Sequence, residues 1–167
     1  MRVETILFGA SDWVPNNPEL PVVVYHHALA DEADLATVFE NRFAQNGWEN
    51  CWRNGVFSYQ HYHAGAHEVL GIARGEARLL IGGAGGRQID VSAGDCIVLP
   101  AGTGHCRISA GPDFLVVGAY PPNQTADIKT GAAGPRELQT IRALPLPLAD
   151  PIGGNPGVLT DAWHIDG

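Results

Sequence analysis

The sequence has little positive charge. Ten Lys and Arg stand against eighteen Asp and Glu, for a net charge of −8. A chain this acidic is a poor partner for polyanions, so no nucleic acid partner is expected. Cysteine is scarce as well. Cys51, Cys96 and Cys106 are odd in number and lack CxxC spacing, which argues against a disulfide framework. They are expected to be small buried hydrophobes, reduced in a cytoplasmic setting. No hydrophobic run approaches the length of a membrane span. The opening MRVETILFGASDW lacks a basic stretch followed by a long apolar one. No membrane partner and no export are therefore expected. Helical signals are sparse too. Leu35, Val38, Phe39 and Phe43 within DEADLATVFENRFAQNG mark one convincing helix, with acidic residues in its first turn and Gly47 as its stop. A lone helix cannot make a helix-turn-helix reader of DNA.

Glycine (21) and proline (12) are plentiful, and hydrophobic residues make up 45% of the 167 positions. That favours many short strands around one core. VETILF (3–8) and PVVVYHH (21–27) read as strands before the helix. VFSYQHYH, EVLGIA, ARLLIGG, RQIDV, DCIVLP, HCRIS and DFLVVGAY read as seven more after it, an all-β sandwich or barrel. GGAGG (82–86) lacks the Lys-Ser/Thr ending of a phosphate loop and reads as a hairpin turn. Residues 121–167, rich in Pro and Gly but apolar in places, read as an extended arm adding one or two strands. The expected organisation is one structural domain. Residues 1–55 supply strands and a helix packed on a barrel at 56–120, and 121–167 form a C-terminal extension.

HYHAGAHEVLG (61–71) holds three of the seven histidines and a glutamate. His61 and His63 are two apart, so on a strand they share a face and can offer two imidazoles to one ion. Phe57 and Tyr59 lie on the same face upstream. His105 follows a Pro-Gly turn at the start of another strand. His67 and Glu68 are neighbours and point to opposite faces, so only one of them can join the set.

Two spacings resemble the cupin superfamily motifs. Gly55, five residues, His61, Tyr62, His63, four residues, Glu68, six residues and Gly75 match the first motif. Gly94, five residues, Pro100, Ala101, Gly102, two residues and His105 match the second, with Ser109 where the family usually has Asn. The resemblance spans residues 55–120 and is to small, single-domain bacterial cupins of unassigned function, similar to RmlC-like jelly-roll proteins. It implies a jelly-roll β-barrel (a double-stranded β-helix) with one N-terminal helix and extended terminal arms. It also implies one divalent metal ion (Fe, Mn, Ni, Co or Zn) held by His61, His63, Glu68 and His105. The motif allows three or four residues after His63; counting back from Gly75 selects Glu68. Parity agrees, since Leu70 and Ile72 then face inward as barrel filler. Val69, Gly71 and Ala73 then face another sheet or subunit. His67 becomes a supporting or rim residue.

Cupins of this kind include dioxygenases, isomerases, lyases and decarboxylases. A metal-dependent enzyme acting on a small, possibly anionic, molecule is therefore expected; the alternative is a non-catalytic metal or small-ligand binding protein. Tyr59, His67 and Arg107 are the candidate catalytic or substrate-contacting residues, with Glu76 a weaker base candidate. Arg107 is two residues after His105, hence on its face, and suits a carboxylate or phosphate. Small cupins often pair through barrel edges and swapped terminal strands, so the resemblance, with these long terminal arms, implies a homodimer, and Trp48, Trp52 and Trp163 are expected to pack the arms onto the barrel. His26, His27 and His164 are read as non-ligands.

Overall fold

The computed structural model describes residues 1–30 and 32–166. Asp31, at the start of the segment expected to be helical, lies outside the described residues, as does Gly167. Nine strands and three helices follow in the order β1 (Arg2–Ile6), β2 (Val22–His26), α1 (Leu35–Gln45), β3 (Glu49–Asn54), β4 (Glu68–Arg74), β5 (Glu76–Ile81), β6 (Arg87–Ser92), β7 (Cys96–Leu99), β8 (His105–Ala110), β9 (Leu115–Tyr120), α2 (Pro135–Ala143) and α3 (Val158–Ala162). The fold is all-β, of jelly-roll type. A six-stranded sheet, β1-β2-β7-β4-β9-β3, packs on a three-stranded one, β6-β5-β8, and every ladder is antiparallel.

Strand alternation sorts the core into two layers. On β4, Leu70 and Ile72 point between the sheets, where Ile97, Leu99, Leu79 and Ile81 close the barrel interior. Val69 and Ala73 point the other way, onto Phe39, Phe43, Trp48 and Trp163. The opposite face of β4 is thus covered by α1, not by another sheet or subunit. Gly71 lets the helix approach: a Cβ there would lie 2.6 Å from the Phe39 ring. Phe39 is fully buried and has no room to retreat. Gly71→Ala is therefore expected to destabilise the fold by about 1–3 kcal/mol, read as a lower urea midpoint. Phe39→Leu in the same chain should recover part of that loss, because the two sites share one contact.

Helix α1 starts where Asp34 caps it. One Asp34 carboxylate oxygen accepts the Thr37 N–H (3.2 Å) and the other its hydroxyl (2.8 Å). The acidic residues precede the helix instead of filling its first turn. Gly47, at φ +80°, ends it in the left-handed region that glycine tolerates. GGAGG forms the β5–β6 turn, with Ile81 paired to Arg87.

Four expectations need correction. VFSYQHYH is not a strand. Only His61 and Tyr62 make bridges, to His105 and Lys129, because the Tyr59 carbonyl is taken by the His61 imidazole. β3 lies just before it, where Gly118 on β9 leaves space for Trp52. Among the described residues, the extension beyond 120 contains α2 and α3 and no named strand, which makes three helices where one was expected. Cys51 is exposed, whereas Cys96 and Cys106 are buried. Residues 1–55 do not merely pack on the barrel: β1, β2 and β3 are hydrogen-bonded members of the larger sheet.

Candidate metal centre

His61, His63 and His105 converge from two segments joined by backbone hydrogen bonds. His61 N–H donates to the His105 carbonyl (3.3 Å), and His105 N–H donates back to the His61 carbonyl (2.9 Å). One ligating atom from each of the three imidazoles lies within 4.8 Å of the other two. Glu68 enters from β4. Its Oε1 is 3.4 Å from both His63 Nε2 and His105 Nε2, and the residue is buried. His26, His27 and His164 are not in this cluster.

Each of these three imidazoles is oriented by a backbone carbonyl. His61 Nδ1 meets the Tyr59 carbonyl (3.1 Å), His63 Nδ1 the Asp127 carbonyl and His105 Nδ1 the Thr103 carbonyl (3.0 Å). A carbonyl can only accept, so each Nδ1 carries the proton and each neutral ring keeps a bare Nε2. Three bare nitrogens and a carboxylate then face one another. This is an arrangement of acceptors that a cation satisfies, and carbonyl partners of this kind are what metal-bound histidines use. The residues therefore fit a divalent ion.

Charge behaviour matches the crowding. Burial pushes His61 down to about 3, and neighbouring His105 adds to the shift. Burial also opposes charge on His63, but without an ion a second proton on its Nε2 can bond to Glu68, and that bond outweighs burial and raises the imidazole. For Glu68, burial alone would raise the carboxyl; the two histidines beside it win and hold it well below its ordinary range.

The turn that presents His105 is gripped from several sides. His67 Nδ1 accepts the Ala101 N–H (2.9 Å), and Asn17 Nδ2 donates to the Ala101 carbonyl (3.1 Å). Gly104 N–H donates to Asn16 Oδ1 (3.1 Å), and Gly102 N–H donates to the His63 carbonyl (2.8 Å). Gly102 itself sits at φ +90°, and a Cβ there would lie 2.6 Å from the Asn16 carbonyl. A second strap runs past His63. Asp127 Oδ1 accepts the Ala64 and Gly65 N–H groups (2.9 and 2.8 Å), and Tyr62 and Lys129 exchange backbone bonds of 3.0 Å.

The structure separates the three candidate catalytic residues. Tyr59 and Arg107 line the pocket that opens over the histidines, together with Phe57, Trp52, Tyr120 and Ile128. His67 does not line it. Its ring lies on the far side of β4 against Trp163 (centroids 5.0 Å), fully buried, and burial pushes it down to about 4. Glu76 also lies away from this pocket.

Sequence reasoning missed Asn16, Asn17, Asp127, Tyr120 and Ile128, and used Trp52 only as packing. Asn16 and Asn17 sit in a loop with no periodic signal, and Asp127 and Ile128 in an arm with none. Tyr120 was legible only as the end of a strand.

The Cupin domain family matches residues 52–117, the segment that carries every one of these histidines and Glu68. Over 164 residues the chain is 41% identical to the Bacillus subtilis protein described as uncharacterized protein YjlB, covering 97% of each. The chain belongs to the cupin family. Among solved structures, this cupin is similar to acireductone dioxygenase from Bacillus anthracis with cadmium in its active centre. That match has 18% identity over 59% of this chain and 76% of the other, with a TM-score of 0.39. It is also similar to a tryptophan-to-phenylalanine variant of the oxalate decarboxylase of B. subtilis (19%, 72% and 30%, TM-score 0.40) and to procruciferin, an 11S globulin from Brassica napus (16%, 69% and 28%, TM-score 0.39). Among the described residues of this cupin no helix is long and apolar enough to cross a membrane.

Proposed function

We propose that this cupin is a metal-dependent enzyme acting on a small anionic molecule. The observation that carries the reading is the orientation of His61, His63 and His105: three carbonyl-tethered rings offer bare nitrogens to one point, beside a buried Glu68, at the floor of an open pocket. One divalent ion from the group iron, manganese, nickel, cobalt and zinc suits that donor set. When bound, it supplies a Lewis acid that polarises an oxygen of the substrate.

The chain's own residues do the rest. Glu68 lowers the charge of the centre and fixes its geometry from β4. Arg107, on the wall two residues beyond His105, pairs with the substrate anion. Tyr59 contacts the substrate at the mouth. His67 acts through the Ala101 turn and not on the substrate, so it is a positioning residue. Trp52 excludes water from the inner wall, and Phe57 stands with Tyr59 at the mouth.

Elemental analysis of the purified protein tests this first. About one divalent ion per chain is expected, followed by turnover or oxygen uptake with a panel of small acids once the native ion is restored. Bound metal without turnover of any reaction class tried would favour the alternative, a non-catalytic metal or small-ligand binding protein.

The larger sheet ends in β1 and β3, and neither outer edge pairs with another strand among the described residues. Pairing of such an edge with a second copy supports the homodimer, which sedimentation would measure. Three free thiols, one of them exposed, support a reducing cytoplasm.

A further inference from the structure

The pocket wall narrows the kind of anion, starting with charge. Among the described residues, Glu68 and Arg107 are the only acidic or basic ones that line the cavity, apart from the histidines. Glu68 is committed to His63 and His105 at 3.4 Å. Arg107 is half-buried, and no carboxylate among the described residues forms an ion pair with it. With a divalent ion in place the cavity is net positive, inside a chain of net charge −8. A half-buried guanidinium without a protein carboxylate partner is free to pair with the anionic group of a ligand.

Aromatic surface surrounds that charge. Phe57 and Tyr59 stack face to face, with centroids 4.9 Å apart and planes 15° apart. They are 44% and 46% exposed, and Ile128 beside the same pocket is 51% exposed. Large apolar side chains gathered at one mouth mark a binding surface, unlike scattered exposed ones. Further in, Trp52 donates its indole N–H to the Tyr120 hydroxyl (2.8 Å), so the indole offers only carbon to a ligand.

The two features share one wall. The Arg107 backbone N–H donates to the Phe57 backbone carbonyl at 2.9 Å, so the two residues are joined through their main chains, and both line the same cavity. A ligand that satisfies both carries an anionic group and a flat apolar body within one cavity. We infer that the pocket takes a small aromatic carboxylate, with its carboxylate on Arg107 next to the histidine centre and its ring against Phe57 and Tyr59. The cavity, about 460 Å³, has room for an acid of one or two rings. This inference rests on the metal reading above.

Calorimetric titration of the zinc-loaded protein, with its zinc content verified, tests it with benzoate, cyclohexanecarboxylate and benzyl alcohol as probes. Benzoate is expected to bind at one site. Benzyl alcohol, which lacks the charge, should bind at least about 10-fold more weakly. Cyclohexanecarboxylate, which keeps the charge but not the flat face, should bind roughly 2- to 10-fold more weakly. Arg107→Gln should weaken benzoate about 10-fold or more with zinc content unchanged. Phe57→Leu, at an exposed position that the fold tolerates, should erase the preference for benzoate over cyclohexanecarboxylate. Equal benzoate affinity in Arg107→Gln overturns the inference, as does cyclohexanecarboxylate binding as tightly as benzoate. A protein that takes up zinc and ignores benzoate overturns this inference alone. A protein that takes up none of zinc, iron, manganese, nickel or cobalt overturns the metal reading and this inference with it.

Discussion

His61→Ala and Glu68→Ala each lower bound divalent metal from about one ion per chain to near background, while His67→Ala keeps the ion. This contrast is the largest expected effect, and it follows from where the three side chains point. His61 contributes one of three imidazole nitrogens grouped within 4.8 Å, and Glu68 contacts two of those rings from a fully buried position. Removing either takes a donor from the centre itself. His67, one residue from Glu68, faces the other side of β4. Its Nδ1 accepts the Ala101 N–H and its ring edge meets Trp163, so neither nitrogen reaches the cluster. Its loss frees the turn that carries His105, and supporting partners of that sort are worth roughly 10–100-fold in metal affinity. Chelator competition would measure that weakening, and elemental analysis the occupancy. Loss of the ion in His67→Ala with retention in Glu68→Ala would reverse the assignment.

The adjacency of His67 and Glu68 shows how far the sequence could be read. Period-two alternation separates the two faces of β4 from residue types alone, because Leu70 and Ile72 fill a barrel and Gly71 does not. The pairing of His61 and His63 with remote His105 was legible through the spacing of two motifs. What alternation cannot show is which element covers the second face. Gly71 reads equally well as a contact with a sheet, a subunit or a helix, and only the Phe39 ring lying 2.6 Å from its missing Cβ decides for α1. The stretch VFSYQHYH misled for a related reason. It has strand composition, but its carbonyls serve side chains and single bridges, a use of hydrogen-bonding capacity that composition does not encode. The grip of Asn16, Asn17 and Asp127 on the loops that carry the histidines was out of reach altogether, because loop-to-loop bonds over separations of 84 or 63 residues leave no periodic trace.

Far from the histidine cluster, Asp150→Ala is expected to destabilise the protein by about 3–5 kcal/mol, read as a large fall in the denaturant midpoint. Asp150 is 1% exposed and ties the C-terminal extension to the sheet. Its Oδ1 accepts the Ile152 and Gly153 N–H groups (2.7 and 2.8 Å), and its Oδ2 accepts the Leu159 N–H (2.7 Å) and the Tyr25 hydroxyl (2.8 Å). Burial, with Asp150 beside it, raises the Tyr25 phenol far above its ordinary value, so it stays protonated and remains a donor. Alanine would leave four donors without an acceptor in a dry interior, where each such loss costs about 1 kcal/mol or more. Asp150→Asn should cost less. Its amide oxygen can still serve the Ile152 and Gly153 N–H groups, and its NH2 can donate to the Tyr25 oxygen, so the Leu159 N–H bears most of the conflict. Tyr25→Phe should cost least, about 1–2 kcal/mol, because it removes a single donor and leaves the carboxylate its three N–H partners. An order of Ala, then Asn, then Phe in decreasing loss is what a hub requires; equal losses in all three would mean that packing at Tyr25, not the carboxylate, holds the extension in place.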